Sequence, residues 1–150
     1  MPKKNTDIKY YESVGRRKEA VARVRLYIVG KDKTATVNGK KIKEGEIVVN
    51  DKPIAEAFPL LVHEKRYLKP LNLTNNAQRY AVSIRTAGGG VNGQIEAIMH
   101  GIARAIQLAD ETTRPVLKQE GLLTRDPRTR ERRMVGTGGR ARRAKQSPKR

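Results

Sequence analysis

Residues 80–109, YAVSIRTAGGGVNGQIEAIMHGIARAIQLA, carry two different hydrophobic periodicities, and these decide the fold class. Over residues 80–87, large apolar side chains alternate with small or polar ones, which is typical of a half-buried β-strand. Three glycines then interrupt the pattern. Over residues 92–109, apolar side chains recur at spacings of three and four, which predicts a helix with one buried stripe. The stripe consists of Ile95, Ile98, Met99, Ile102, Ala103 and Ile106. A strand followed by such a helix indicates an α+β domain.

Residues 10–29, YYESVGRRKEAVARVRLYIV, predict two further strands, with Gly15 and the basic residues 16–18 as the turn between them. From residue 20 onward, apolar side chains occupy alternate positions and would face a core. Arg23 and Arg25 would then lie on the opposite face. Two interpretations fit this pattern equally well. The strand either presents arginines to RNA or forms an ordinary sheet face in water.

The remaining segments predict short elements around this framework. An Asn-Gly pair at residues 38–39 suits a type I′ turn and predicts a hairpin over residues 36–40. The other predicted elements are a strand at 47–49, a helix opening at 53–58 after a cap at Asn50–Asp51, a helical turn at 63–67, and a short helix at 112–120 that Gly121 ends. Together they predict a small mixed sheet covered by helices.

The positive charge is concentrated at the C-terminal end. The chain has 150 residues and a net charge of +18. Residues 1–120 hold 22 Lys/Arg and 13 Asp/Glu, whereas residues 121–150 hold 11 and 2, so each part carries +9. After Val135 no large apolar side chain remains to anchor a core. We therefore predict a disordered N-terminus at 1–9, a globular domain at 10–121 and an extended basic tail at 122–150.

Such a charge predicts a polyanionic partner, for which RNA, DNA and an anionic membrane are the candidates. A membrane is disfavoured, because the sequence has no run of 18 apolar residues and no Trp. Cysteine is absent, which excludes disulfides and thiol catalysis. The N-terminus has no secretory apolar stretch, so we expect a cytoplasmic protein.

No residue pattern predicts catalysis, a metal site or a cofactor. Gly88–Gly90 precedes a helix but lacks both the GK[ST] ending and the GxGxxG spacing, so it fits either a tight turn or an RNA phosphate contact. His63 and His100 lie in no metal-ligand pattern. Tyr10 and Tyr11 fit either base stacking or the edge of a core. The alternatives to a structural RNA-binding protein are an RNA-processing enzyme, which would need an acid/base or metal cluster, and a DNA-compacting protein.

Three segments resemble the family of the ninth protein of the small ribosomal subunit. They are residues 15–24, GRRKEAVARV; residues 88–106, GGGVNGQIEAIMHGIARAI; and residues 122–133, LLTRDPRTRERR. The resemblance implies an α+β fold with a mixed four-stranded sheet, similar to the second domain of the fifth small-subunit protein. It also implies a place in the subunit head, beside ribosomal RNA and neighbouring head proteins. Residues 31–44 look like an insertion relative to this family.

The basic residues divide into three predicted sets. For ribosomal RNA, the globular domain would use Arg16, Arg17, Lys18, Arg23, Arg25 and Arg104. The tail would neutralise phosphates through Arg125, Arg128, Arg130, Arg132, Arg133, Arg140, Arg142, Arg143 and Lys145. The resemblance further implies that the terminal Lys149 and Arg150 contact the peptidyl-site transfer RNA.

Overall fold

Two antiparallel strands, β1 (Tyr10–Arg17) and β2 (Ala20–Ile28), open the fold in the computed structural model, which describes residues 10–29, 34–37, 39–133 and 135. Their turn lies at residues 18–19, where Lys18 has a φ of 51°. The predicted turn at Gly15 is therefore wrong. Gly15 lies inside β1, where a Cβ atom would be 2.5 Å from the backbone nitrogen of Gly101 in a packed helix. The glycine allows close packing between strand and helix.

The other strands complete a mixed sheet and a separate hairpin. They are β3 (Thr34–Val37), β4 (Lys40–Lys43), β5 (Ile47–Val49), β6 (Lys52–Pro53) and β7 (Tyr80–Ala87). The main sheet has the order β1-β2-β7-β5-β6, and β5 runs parallel to β7 while the other pairs are antiparallel. The predicted mixed α+β architecture is confirmed, as are the strands at 47–49 and 80–87.

The predicted count of four strands is wrong, because the main sheet has five strands among the described residues. Asn50 and Asp51 both adopt a positive φ and form a tight turn, which folds Lys52–Pro53 back beside β5 as an edge strand. The sequence pattern instead predicts that Asn50 and Asp51 cap a helix, and that prediction is wrong. Proline suits the edge position because it has no N–H to donate to a further strand.

In the described part of the chain, four helices accompany the sheet. They are α1 (Ile54–Ala57), α2 (Leu61–Leu73), α3 (Val91–Ala109) and α4 (Arg114–Gln119), with a 3₁₀ turn at Glu111–Thr113. The helices predicted at 92–109 and 112–120 are thus confirmed. The stripe on α3 is fully buried at Ile95, Ile98 and Ile102, and Met99 is half-buried at its edge. The core therefore lies between α3 and one face of the sheet.

The hairpin β3–β4 covers part of the opposite face of the sheet. Val37 pairs with Lys40 across the two-residue turn, as predicted from the Asn-Gly pair. The inner side of the hairpin builds a second, smaller apolar cluster against β2 and β7. That cluster consists of Tyr27, Ala35, Val37, Ile42 and Ala81. The described part of the segment interpreted as an insertion therefore adds a second layer of core.

The segment after α4 returns to the domain. Leu122 is buried, and its N–H bonds the carbonyl oxygen of Leu117. Residues 125–133 run without helix or strand. The predicted N-terminal extension at 1–9 and the basic stretch at 136–150 lie outside the described residues. In the described part of the chain, no helix has the length and apolarity needed to cross a membrane.

Candidate nucleic-acid interface

An open cleft of about 520 Å³ lies where β1, α3 and the segment after α4 meet. We call it the arginine cleft. Its lining residues are Val14, Arg16, His100, Arg104, Leu123 and Arg125. The edge strand β1 supplies the first two, one turn of α3 supplies the next two, and the returning segment supplies the last two. The cleft is therefore complete only when residues 123–125 are docked on the domain.

The charges in the arginine cleft favour an anion. The side chains of Arg16, Arg104 and Arg125 are exposed, and among the described residues no carboxylate lines the cleft. Arg104 donates a hydrogen bond from Nη1 to the carbonyl oxygen of Val14, which orients its guanidinium beside the edge strand. A guanidinium binds a phosphate through two parallel hydrogen bonds. Three of them around one opening suit a phosphate-bearing ligand.

His100 joins the three parts of the cleft as a neutral side chain. Its Nδ1 accepts the backbone N–H of Arg16 at 3.5 Å, and its Nε2 lies 3.2 Å from the carbonyl oxygen of Leu123. Burial lowers the pKa of His100, and the charges of Arg104 and Arg125 lower it further, against the opposing effect of the Leu123 carbonyl. A neutral ring with its proton on Nε2 satisfies both contacts. His100 is therefore a structural link.

A second set of contacts, which we call the junction clamp, fixes the returning segment to the domain through Arg17, Glu96 and Asp126. Arg17 forms an ion pair with Glu96 on α3, and its Nη2 lies 3.1 Å from an Asp126 oxygen. Its Nη1 also donates to the carbonyl oxygen of Arg128 at 3.1 Å. The side chain is only 13% exposed. The charge of Arg17 is thus committed within the protein.

Comparison with known sequences identifies the family. The profile described as "Ribosomal protein S9/S16" matches residues 15–150. The chain belongs to the ribosomal protein S9/S16 family. It is 43% identical, over the full length of both chains, to the small ribosomal subunit protein uS9 of Dehalococcoides mccartyi strains BAV1, CBDB1 and 195. The family resemblance of the three motifs is confirmed.

Membership of the S9/S16 family decides the class of function. It makes the protein a structural, non-enzymatic component of the small ribosomal subunit, and hence an RNA-binding protein of translation in the cytoplasm. In the part of the chain that the structure describes, no cluster of His, Asp and Glu has a metal-binding arrangement.

The residues predicted to bind ribosomal RNA fall into three groups in this S9/S16 protein. Some are exposed and appear in no ion pair of the described residues: Arg16, Lys18, Arg23, Arg104, Arg125, Arg130, Arg132 and Arg133. Others are engaged in ion pairs: Arg17, Arg25 and Arg128. The rest lie outside the described residues: Arg140, Arg142, Arg143 and Lys145. Lys149 and Arg150, which were predicted to contact transfer RNA, also lie outside them. The structure therefore separates arginines available to a ligand from arginines that hold the fold.

Arg25 and Arg128 each pair with a nearby carboxylate. Arg25 lies 2.6 Å from Glu12 on β1, and this hydrogen bond raises the pKa of Arg25. Arg128 donates to both oxygens of Asp126: its Nε lies 3.1 Å from Oδ1, and its Nη2 lies 2.7 Å from Oδ2. Those bonds, and the more distant charge of Arg17, hold the pKa of Asp126 far below its usual range. The Asp126 carboxylate thus stays ionised and keeps the segment folded back.

The structure bears on several of the open alternatives. Tyr11 packs at the edge of the core, whereas Tyr10 is partly exposed beneath Arg25. His63 is buried, with its ring edge-to-face against Phe58 at 6.4 Å. A Cβ atom at Gly88 would lie 2.5 Å from the carbonyl oxygen of Glu19, so tight packing accounts for that glycine. The sequence prediction missed Arg85, although its alternation with buried Ile84 was an available signal.

Proposed function

We propose that the protein binds ribosomal RNA in the head of the small subunit, with the arginine cleft as the principal phosphate site of its folded domain. The observation that carries this proposal is the convergence of Arg16, Arg104 and Arg125 on one opening, which no carboxylate of the described ranges lines. The phosphate backbone dominates nucleic-acid affinity, and arginine is the residue best suited to it. The remaining exposed arginines of residues 125–133 extend the same basic surface.

We propose a separate role for the C-terminal end of the chain. Residues 122–150 would form a basic tail that reaches the peptidyl-site transfer RNA, where Lys149 and Arg150 would contact the anticodon stem-loop backbone. The support is the composition of this segment, which holds 11 Lys/Arg against 2 Asp/Glu, together with the resemblance to the family. This proposal includes three further points. The chain divides at Gly121, and other proteins of the subunit head are its neighbours. The folded domain resembles the second domain of the fifth small-subunit protein.

Removing one charge at a time from the arginine cleft tests the RNA-binding role. Arg16→Gln and Arg125→Gln should each weaken the binding of the full-length protein to deproteinised small-subunit ribosomal RNA. Each should also reduce the slope of log affinity against log salt by about one, because each removes one phosphate contact. Filter binding over a series of KCl concentrations measures both quantities.

Arg66→Gln is the matched control, since Arg66 is an exposed arginine on α2 outside the cleft. Unchanged slopes for both cleft variants, equal to that of the control, would contradict the assignment. Duplex DNA serves as a competitor in the same assay. Equal affinity for duplex DNA and for the ribosomal RNA would favour the DNA-compacting alternative.

A further inference from the structure

Two arginines oppose each other on the face of the sheet that carries no helix. Arg23 on β2 and Arg85 on β7 are direct cross-strand partners, and both are exposed. The Cβ atoms of such partners lie about 4.5–5.5 Å apart, and like charges placed in this way destabilise a sheet. Their sequence neighbours Val24 and Ile84 are buried on the helix side, so both arginines point the other way. A repulsive pair in the middle of a sheet calls for a compensating anion.

The protein itself supplies no such anion among the described residues. Neither Arg23 nor Arg85 takes part in an ion pair there. Glu12, which the strand register places on this face, lies opposite Arg25 and bonds it at 2.6 Å. Across β1, the partner of Arg23 is the apolar Val14. The two guanidiniums are thus left without an internal counter-ion.

The hairpin β3–β4 limits where a ligand can lie on this face. It covers the end that holds Tyr27 and Ala81, and its shallow cleft contains Lys40 and Lys41 together with Glu46 and Asp51, so that end is balanced in charge. Strand β7 is also held in place next to Arg85. The side chain of Asn50 bonds the carbonyl oxygen and the N–H of Thr86 at 3.2 and 3.0 Å. The uncovered, positively charged end is therefore a fixed platform.

We propose that the opposed pair Arg23 and Arg85 binds one backbone phosphate of RNA on the helix-free face, beside the arginine cleft, which Arg23 adjoins at Val14. A phosphate shared by two guanidiniums would replace their repulsion with charge-assisted hydrogen bonds. The ligand is a phosphate rather than a stacked base, because Tyr27 is buried under the hairpin and Tyr10 lies against Arg25. This inference rests on the proposed binding of ribosomal RNA and adds a second contact point to it.

The test compares four variants of the full-length protein: Arg23→Gln, Arg85→Gln, the double variant and the control Arg66→Gln. Each is titrated with deproteinised small-subunit ribosomal RNA over a series of KCl concentrations. If the two arginines share one phosphate, the double variant loses about one unit of the salt slope, because only one phosphate contact disappears, and neither single variant loses more than that. The control keeps the slope of the unmodified protein.

Two outcomes would overturn the shared site. A double variant with the slope of the control would show that neither arginine contacts phosphate, and a double variant that loses about two units would show two independent contacts. If Arg16→Gln and Arg125→Gln still reduce the slope in either case, the proposed function stands without this inference. If no variant changes the slope, the proposed function fails as well.

Melting of the free protein gives a readout that does not need RNA. Arg85→Gln should raise the melting temperature in low-salt chloride buffer, because it removes the like charge opposite Arg23. Inorganic phosphate, added at matched ionic strength, should raise the melting temperature of the unmodified protein more than that of Arg85→Gln. A melting temperature lowered by Arg85→Gln, with an undiminished response to phosphate, would count against the site.

Discussion

At the scale of single residues, the structure assigns similar arginines to different tasks. Arg16 and Arg17 are adjacent, yet Arg16 lines the arginine cleft while Arg17 holds the junction clamp. The sequence predicted the same RNA-binding role for both. Glu96 and Asp126 lie 79 and 109 positions from Arg17, and no local pattern shows that they meet it. Composition indicates that a chain binds polyanions, whereas tertiary contacts decide which charges remain available.

The junction clamp gives a prediction at this scale. Arg17→Gln should lower the free energy of unfolding by about 1–2 kcal/mol, because it removes charge-assisted bonds to Glu96, Asp126 and the carbonyl oxygen of Arg128 from a partly screened site. Urea unfolding of the full-length protein measures this loss. Lys18→Gln, an exposed neighbour with the same loss of charge, should change stability by less than about 0.5 kcal/mol. Equal losses in the two variants would rule out the clamp.

At the scale of elements, hydrophobic periodicity predicted those helices and strands whose pattern is set by residues close together in the sequence. The helix at 92–109 and the strand at 80–87 have long, regular patterns, and both are confirmed within a residue. The turn assigned to Gly15 and the helix cap assigned to Asn50–Asp51 were wrong. Glycine and asparagine favour turns when only their sequence neighbours are considered. A glycine is needed at position 15 for another reason, because α3, from a distant part of the chain, approaches the strand closely there.

Because α3 packs closely against Gly15, we expect two glycines of the fold to respond differently to substitution by alanine. Gly15→Ala should lower the free energy of unfolding by about 1–3 kcal/mol or more, because the added methyl group would overlap the backbone of α3 at Ala97 and Gly101. Gly93→Ala should be neutral or stabilising by up to about 1 kcal/mol. Its Cβ atom would meet its neighbours at 3.5 Å or more, and alanine favours the helix. Urea unfolding measures the change in the free energy of unfolding for both variants. A larger loss in Gly93→Ala than in Gly15→Ala would refute the argument.

At the scale of the whole molecule, the charge distribution and three motifs were enough to predict the family and the class of function. They did not predict the position of the proposed phosphate sites. The arginine cleft needs β1, α3 and residues 123–125 together, and the opposed pair needs the register of β2 against β7. The register of β2 against β7 and the docking of residues 123–125 depend on side-chain packing across the whole domain. Periodicity within one segment carries no information about that packing.

The proposed division of labour between domain and tail can be tested in intact subunits. Deleting Lys149 and Arg150 should weaken peptidyl-site binding of transfer RNA by about 1–3 kcal/mol, the value of two charge-assisted contacts, while subunit assembly continues. Small subunits reconstituted with the shortened protein allow both measurements. A variant with Arg142→Gln and Arg143→Gln removes the same charge without touching the last two residues, and should retain more of the affinity. Failure of assembly on deleting only the last two residues would contradict the division.

The junction clamp also limits the length of the proposed tail that can act as a tether between the domain and the last residues of the chain. Residues up to Arg128 are tied to the domain through Leu123, Asp126 and Arg128 itself. In the proposed tail, only the residues beyond Arg128 would be free to span a distance, and fully extended they would reach at most about 70–80 Å, rather than the roughly 100 Å available from Gly121. A shorter tether raises the effective local concentration of its terminal residues near the domain. Releasing the clamp would lengthen the tether and dilute those residues without altering any of them.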